Sequence, residues 1–194
     1  MGISRTRQML VDVARQLFAK SGKNNVTMND IATASQKGRR TLYTYFKNKN
    51  DIYLAVIERE MNLLLEKLEA VIIKNAPPDE MLVDYIFTRQ DAIKESVTRN
   101  GSLRSDFFRD IYEVERVRRR FDIMETKMIK SILDKGVEQD IFRCVDTELA
   151  SMLMLYSLKG IETPFIRDRI SKQMVDKREQ IVKFLFEGLK KRKG

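Results

Sequence analysis

The 194-residue chain is predicted to be an all-α protein, in which three short helices precede a long fourth helix and a larger helical region. Three observations favour this class. Apolar residues recur at helical spacing along most of the chain. Glycine and proline, which interrupt helices, number only 8 and 3. Capping residues also stand where the periodic segments begin.

The first helix is predicted over residues 4–20, and Gly22 is available for the left-handed residue that ends a helix. Its apolar positions follow the i, i+3, i+4, i+7, i+8 spacing of a single buried stripe. They are Leu10, Val13, Ala14, Leu17 and Phe18.

The second helix has a clear start signal. Thr27 is the N-cap candidate, and Asp30 can reach back toward the Thr27 amide as a variant of the capping box. Val26 and Ile31 are placed to form a hydrophobic staple across this cap. The helical pattern breaks at residues 35–37.

The third helix is predicted over residues 38–46, with Leu42, Tyr45 and Phe46 on the face expected to join the core. The opposite face carries Arg39, Arg40, Tyr43, Thr44 and Lys47. A short helix behind a tight turn, with two arginines at its N-terminal end, has the form of a recognition helix, whose first residues meet base edges. Arginine suits this role because its planar fork donates two hydrogen bonds to guanine.

The fourth helix, residues 49–74, begins with the same capping pattern at Asn48 and Asp51. Lys49, in its first turn, is placed for a phosphate contact. The prolines of residues 77–78 end this helix. Further helices are predicted at residues 79–99, near Ser105, in a long segment ending at residues 135–136, at 147–162 and at 171–191, the last two separated near Pro164.

Charge is concentrated at the start of the chain. The net charge is +9, from 37 basic and 28 acidic side chains. Residues 1–50 contain ten basic and two acidic side chains, so +8 of this charge lies in the first quarter of the chain. A basic segment at the start of an otherwise nearly neutral chain indicates a nucleic-acid-binding protein. The alternative is a basic arm that increases solubility or binds anionic lipid.

The composition disfavours an enzyme. The chain has no histidine, which removes serine–histidine and cysteine–histidine nucleophilic sites and most zinc sites. No glycine-rich phosphate loop is present, so no metal or cofactor is expected. The single cysteine, Cys144, cannot form an intramolecular disulfide and is expected to be an ordinary thiol.

Residues 4–64, about a third of the chain, resemble the DNA-binding domain of TetR-like transcriptional regulators. The matching positions are Ala14, Leu17, Phe18, Gly22, Thr27, Ile31, Ala32, Thr41, Leu42, Tyr43, Tyr45, Phe46 and Lys49. The family reads approximately Ala-Gly-Val-Ser where this chain has Ser-Gln-Lys-Gly at residues 35–38, so the turn lacks its usual glycine and its backbone is expected to differ slightly. The resemblance implies a helix-turn-helix at about residues 27–46 and a helical ligand-binding and dimerisation domain at residues 65–194.

The expected DNA contacts combine the exposed face of the third helix with residues that the resemblance implicates. It implies phosphate contacts from Thr27, Tyr43 and Lys49, and base reading by the third helix. The full predicted set is Thr27, Lys37, Arg39, Arg40, Tyr43, Thr44, Lys47 and Lys49. Two alternatives stay open: Thr27 as a helix cap alone, and the two arginines as a solvated face.

The segment 149–158, LASMLMLYSL, is apolar nearly all round and therefore needs cover on more than one side. A second subunit is the expected cover, in a four-helix bundle about a two-fold axis, with an intramolecularly buried helix as the alternative. The predicted interface residues are Leu149, Met152, Leu153, Tyr156, Ile181, Phe184 and Leu185.

Apolar and aromatic side chains of the middle helices are candidates either for plain core or for a ligand cavity. They are Met61, Leu65, Phe87, Phe107, Phe108, Tyr112, Phe121 and Met124. The resemblance implies a small-molecule inducer, expected to be apolar. The basic run at residues 116–120 is a candidate anion site or an exposed face.

The sequence therefore predicts a cytoplasmic, homodimeric, sequence-specific transcriptional regulator, a repressor that a small molecule releases from its operator. No membrane partner is expected, because the N-terminus lacks the apolar part of a secretory signal and no segment approaches ~18 consecutive apolar residues. A sequence-nonspecific binder of nucleoid DNA or of anionic membranes is the alternative.

Overall fold

The computed structural model describes residues 4–101, 111–143, 146–166 and Gln180. The regular elements of these residues are seven α-helices and one 3-10 turn. They are α1 (Arg5–Ser21), the 3-10 turn (Lys23–Asn25), α2 (Met28–Ala34), α3 (Arg39–Tyr45), α4 (Lys49–Ile73), α5 (Pro78–Asn100), α6 (Ile111–Glu138) and α7 (Thr147–Ile166). The helical segments predicted near Ser105 and at 171–191, together with Cys144, lie outside this description.

Two helices continue past the residues at which the sequence predicted their ends. α6 runs through Gly136 to Glu138. This glycine does not end the helix; it makes room for the ring of Phe142, which a side chain at position 136 would overlap. α7 runs through Pro164 to Ile166. A proline this close to the helix end sacrifices a single amide hydrogen bond, so it does not stop the helix.

The described residues form two compact units. The first contains α1–α3 and α4 up to Leu63, together with the described part of Glu95–Arg119. α2 packs against α1 and α3. Fully buried side chains of this unit are Leu10, Phe18, Ile31, Leu42, Ile52, Tyr53 and Ile57. Burial of each such side chain stabilises the fold by roughly 1.5–3 kcal/mol.

The last turn of α5 belongs to this first unit. The carboxylate of Glu60, in α4, accepts hydrogen bonds from Ser96 Oγ at 2.8 Å and Arg99 Nη2 at 2.6 Å. The backbone carbonyl of Arg99 accepts from Arg15 Nη1 of α1 at 3.3 Å. Gly101 follows so close to α1 that an added Cβ would lie 2.8 Å from the carbonyl oxygen of Ala19. The predicted boundary at residues 64/65 therefore did not anticipate that residues near 95–101 pack with the N-terminal helices.

The second unit contains residues 64–94 and the described residues from 120 onward. Its buried apolar residues come from α4, α5, α6 and α7, and include Leu68, Leu82, Ile86, Ile129, Ile132, Leu133, Leu155 and Leu158. None of the described helices is long and apolar enough to cross a membrane.

Candidate nucleic-acid interface

The start of α2 is fixed by the predicted capping box. The Thr27 amide donates to Asp30 Oδ2 at 2.8 Å, and the Asp30 amide donates to Thr27 Oγ1 at 3.2 Å. The backbone bond from Thr27, followed by that from its hydroxyl, lowers the pKa of Asp30 below its ordinary value. Val26 and Ile31 are both buried beside this cap, as the staple predicts. Hydrogen bonds between residues three positions apart therefore fix the first turn of α2.

The turn between α2 and α3 adopts the conformation that favours glycine, although glutamine occupies it. Gln36 has φ 54°. Its amide donates to Thr33 O and the Lys37 amide to Ala32 O, both at 3.1 Å, which is the pattern of a Schellman helix end. The backbone bonds thus hold a left-handed residue in a turn that lacks its usual glycine.

α3 presents one buried and one exposed face. Leu42 is fully buried and the flanking Phe46 is 97% buried, which anchors the helix. The predicted contact residues of the opposite face are all exposed: Arg39, Arg40, Tyr43, Thr44 and Lys47. The Thr44 hydroxyl donates to the Arg40 carbonyl at 2.9 Å, so it is partly occupied by its own helix.

The two arginines of α3 form no ion pair with any of the described residues. Lys37 and Lys47 are likewise exposed and form none within the same part of the chain. These four cations are therefore available to neutralise an external anion.

The start of α4 brings Lys49 next to the turn before α2. Asn48 caps α4 by accepting from the Asp51 amide at 2.9 Å, while Asp51 accepts from the Lys47 amide at 3.0 Å. Lys49 Nζ donates to the carbonyl oxygen of Asn24 at 3.3 Å. An ammonium group has three donors, so this tether leaves donors free for a phosphate.

The sequence did not predict that the first turn of α1 touches the end of α3. Ser4 Oγ lies 3.0 Å from Tyr45 Oη, at hydrogen-bond distance. The Arg7 guanidinium stacks over the Phe46 ring, 5.2 Å from its centroid. Tyr45, expected to be core, is only half-buried. These two contacts join residues that are 41 and 39 positions apart, so no local spacing rule predicts them. The excess of basic residues near the N-terminus was the one sequence feature that drew attention to this part of the chain.

The predicted ligand-pocket residues are divided between the two units. Met61 belongs to the first unit, where it is buried. Leu65 and Phe121 are buried in the second unit, where Phe87 and Met124 are half-buried. Phe107, Phe108 and the side chain of Tyr112 lie outside the described residues.

Four of the seven predicted dimer-interface residues are described, and all four are exposed in the single chain. Leu149, Met152, Leu153 and Tyr156 have exposed fractions of 47%, 43%, 57% and 57%. They follow the i, i+3, i+4, i+7 spacing of one helical stripe, while Met154, Leu155 and Leu158 bury the other side of α7. Ile181, Phe184 and Leu185 lie outside the described residues.

A polar cluster that the sequence did not predict lies within the second unit. Arg89 of α5 and Glu125 of α6 are each 97% buried and are joined at 2.5 Å between Nε and Oε2. Burial and the neighbouring Glu125 carboxylate raise the pKa of Tyr85 well above its ordinary value. Within the described part of the chain, no group of three or more acidic or cysteine side chains could hold a metal ion.

Comparisons with known proteins match the N-terminal part of the chain. Residues 10–56 match the family described as bacterial regulatory proteins, tetR family. An HTH-type transcriptional regulator of Staphylococcus aureus strain bovine RF122 / ET3-1 is 35% identical over 65 residues, which is 34% of this chain and 35% of that protein. An HTH-type regulator of strain USA300 is 34% identical over the same share. The chain thus matches about a third of the length of these relatives.

Solved structures are similar over nearly the whole chain. A transcriptional regulator from Cytophaga hutchinsonii superposes with a TM-score of 0.77 at 19% identity, covering 95% of this chain and 98% of that one. A TetR/AcrR-family regulator from Thermobifida fusca has a TM-score of 0.75 at 21% identity, with the same coverage. At these identities the likeness establishes the fold. The match to the tetR family itself covers residues 10–56.

Proposed function

We propose that the protein is a homodimeric, sequence-specific DNA-binding transcriptional regulator, and that it is a repressor which a small-molecule effector releases from its operator. The observation that carries this proposal is the exposed face of α3, whose Arg39 and Arg40 form no ion pair among the described residues. In a helix-turn-helix the first residues of such a helix reach base edges.

Phosphate contacts would fix the position of this helix on the duplex. Exposed Tyr43 and Lys47 flank the base-reading residues, and Lys49 is tethered beside the start of α2. Such contacts set register and orientation without carrying sequence information. The hydroxyl of Thr27 is already shared with Asp30, so any phosphate contact by Thr27 would add to its capping role.

The exposed stripe of α7 supports a dimer. Four large apolar side chains on one helix face are an interaction surface rather than scattered exposure. A second copy, packed about a two-fold axis, would cover the stripe and set two recognition helices about 34–36 Å apart, one for each successive major groove.

In this proposal residues 65–194 form a ligand-binding and dimerisation domain, and the protein acts in the cytoplasm. Leu65, Phe87, Phe121 and Met124 are apolar side chains of the kind that line such a site. The effector would favour a dimer whose recognition helices no longer match the groove spacing, and thereby shift the population away from the DNA-binding form.

Selection from a library of random duplexes tests the DNA-binding part of the proposal. The full-length protein is expected to enrich a pseudo-palindrome whose half-sites lie about 10 base pairs apart, or a multiple of that. Enrichment of no sequence, with strong retention of all DNA or of anionic vesicles, would instead identify a sequence-nonspecific binder.

Sedimentation tests the dimer. Replacing Leu153 and Tyr156 together by aspartate should produce a monomer, because charges would enter the buried bundle. Ile123→Asp is the matched control, since Ile123 is also an exposed apolar residue, 53% exposed, but lies on α6 outside the stripe. A dimer that survives the double substitution would remove α7 from the interface.

A further inference from the structure

The first turn of α1 is joined to the C-terminal end of α3 by two side-chain contacts. Ser4 precedes α1 as its N-cap residue, yet its hydroxyl makes no capping bond and instead lies 3.0 Å from the Tyr45 hydroxyl. Arg7 stacks on Phe46, the residue that follows Tyr45. The two contacts hold the beginning of α1 against the end of the exposed helix.

Arg5 lies between these two contacts in sequence and is exposed. It forms no ion pair with the residues that the structure describes, and the first turn of α1 contains no acidic residue. Tyr45, which Ser4 contacts, lies close in sequence to Thr44 at the end of α3 and to Lys47 just after it, and both of these side chains are exposed. An exposed cation without an ion pair among the described residues therefore lies in the same helical turn as the two contacts with the end of α3.

We infer that the first turn of α1 extends the DNA interface, with Arg5 contacting a backbone phosphate and the Tyr45–Ser4 hydrogen bond positioning it. This inference rests on the proposed DNA-binding function. The ligand chemistry is a phosphodiester anion of duplex DNA. A phosphate carries no base identity, so Arg5 adds affinity equally on all sequences while the arginines of α3 supply the choice of sequence.

The test compares Arg5→Gln with Lys20→Gln in the full-length protein. Lys20 is also exposed and basic, but lies in the last turn of the same helix. Affinity for a random-sequence duplex is measured by fluorescence anisotropy across salt concentrations. Log K falls as log salt rises, and each lost phosphate contact makes this fall less steep by about 0.9. Each lost contact also lowers affinity roughly tenfold at 0.1 M salt. Arg5→Gln should show this change for each bound subunit, and Lys20→Gln should match the unsubstituted protein.

Tyr45→Phe separates positioning from simple stability. It removes only the hydroxyl bonded to Ser4 and keeps the ring. Tyr45→Phe should reduce the affinity and the salt dependence less than Arg5→Gln does. The double variant should bind DNA no more weakly than Arg5→Gln alone, because both substitutions act on one phosphate contact. A hydrogen bond with a purely structural role would lower the Tm of Tyr45→Phe and leave the salt slope unchanged.

The outcomes distinguish this inference from the proposed function. If the unsubstituted protein binds no DNA, the proposed function itself fails. If it binds DNA and Arg5→Gln has the same affinity and slope as Lys20→Gln, the DNA interface stands and the α1 contact is overturned.

Discussion

The exposed face of α3 and the buried contacts of the second unit use basic side chains in opposite ways. On α3 and its flanks, Arg39, Arg40 and Lys47 are exposed and form no ion pair among the described residues. In the second unit, Arg89 is buried against Glu125, and Lys159 lies 2.6 Å from Asp122. The type of side chain therefore does not distinguish these two sets of residues, whereas the presence of an ion pair does. The paired cations join helices within the protein, whereas the cations of α3 and its flanks remain available for the proposed contact with DNA.

The largest expected effect comes from breaking the buried pair. Glu125→Gln removes the carboxylate charge that contacts the buried Arg89 side chain, so the free energy of unfolding should fall by about 3–5 kcal/mol. Urea denaturation of the full-length protein measures this loss.

Two controls accompany that substitution. Replacing Arg89 and Glu125 together by methionine should recover most of the stability, because neither charge then has to be buried. Arg59→Ala removes a cation from a partly exposed pair with Asp12, separated by 3.0 Å, and should cost only about 0.2–1 kcal/mol. Equal losses from Glu125→Gln and Arg59→Ala would show that burial does not set the strength of these pairs.

The free cations should show the reverse behaviour. Arg39→Ala and Arg40→Ala are each expected to weaken operator binding by about 1–3 kcal/mol and to relax sequence preference, with little change in Tm. Lys49→Ala should weaken binding to all sequences alike and flatten the salt slope by about one unit. Anisotropy on selected and scrambled duplexes separates these effects, and equal losses on both duplexes for the arginine variants would contradict base reading.

Glu60 provides a test of pairing by pH. Burial alone would raise its pKa, but bonds from Arg99 and Ser96 outweigh burial and lower the pKa below the ordinary value of 4.5. The folded state is therefore stabilised by ionised Glu60 above about pH 4.5, and this stabilisation is lost as pH falls through the lowered pKa.

Glu60→Gln should cost roughly 1–2 kcal/mol at neutral pH, a modest figure because the Arg99 side chain is partly exposed. The stability difference between the two proteins should shrink on acidification toward pH 3. Denaturation midpoints measured from pH 7 to pH 3 check this expectation, which a constant difference over that range would refute.

The smallest expected effect is a gain. Among the described non-glycine residues, positive φ occurs at Gln36, Asn75 and Asp140, and asparagine and aspartate tolerate that region better than glutamine does. Gln36→Gly should stabilise the protein by about 0.5–1 kcal/mol, because relief of the left-handed strain exceeds the added entropy of the unfolded chain. Gln36→Asn should give a smaller gain in Tm, whereas Gln36→Ala should give none.

Sequence patterns predicted the features that depend on neighbours within four residues. The Thr27–Asp30 capping box, the Asn48 cap and the exposed face of α3 follow from local spacing, and the all-α class follows from periodicity. The Arg89–Glu125 pair joins residues 36 positions apart and the Ser4–Tyr45 contact joins residues 41 apart, so no spacing rule indicates them. The sequence predicted a helix end at Gly136 because glycine commonly ends helices. The packing of Gly136 against Phe142 is a tertiary contact that the sequence pattern does not indicate.

Fluorescence anisotropy on two duplexes, across a range of salt concentrations, tests most directly whether the exposed cations of α3 and its flanks serve specific DNA recognition. One duplex is the DNA upstream of the protein's own gene and the other is a shuffled copy. We predict nanomolar binding of one dimer to the upstream fragment, far weaker binding to the shuffled copy, and a steep loss of affinity with salt on both. Equal affinity for the two duplexes at every salt concentration, together with failure of the random library to yield a preferred site, would contradict the account.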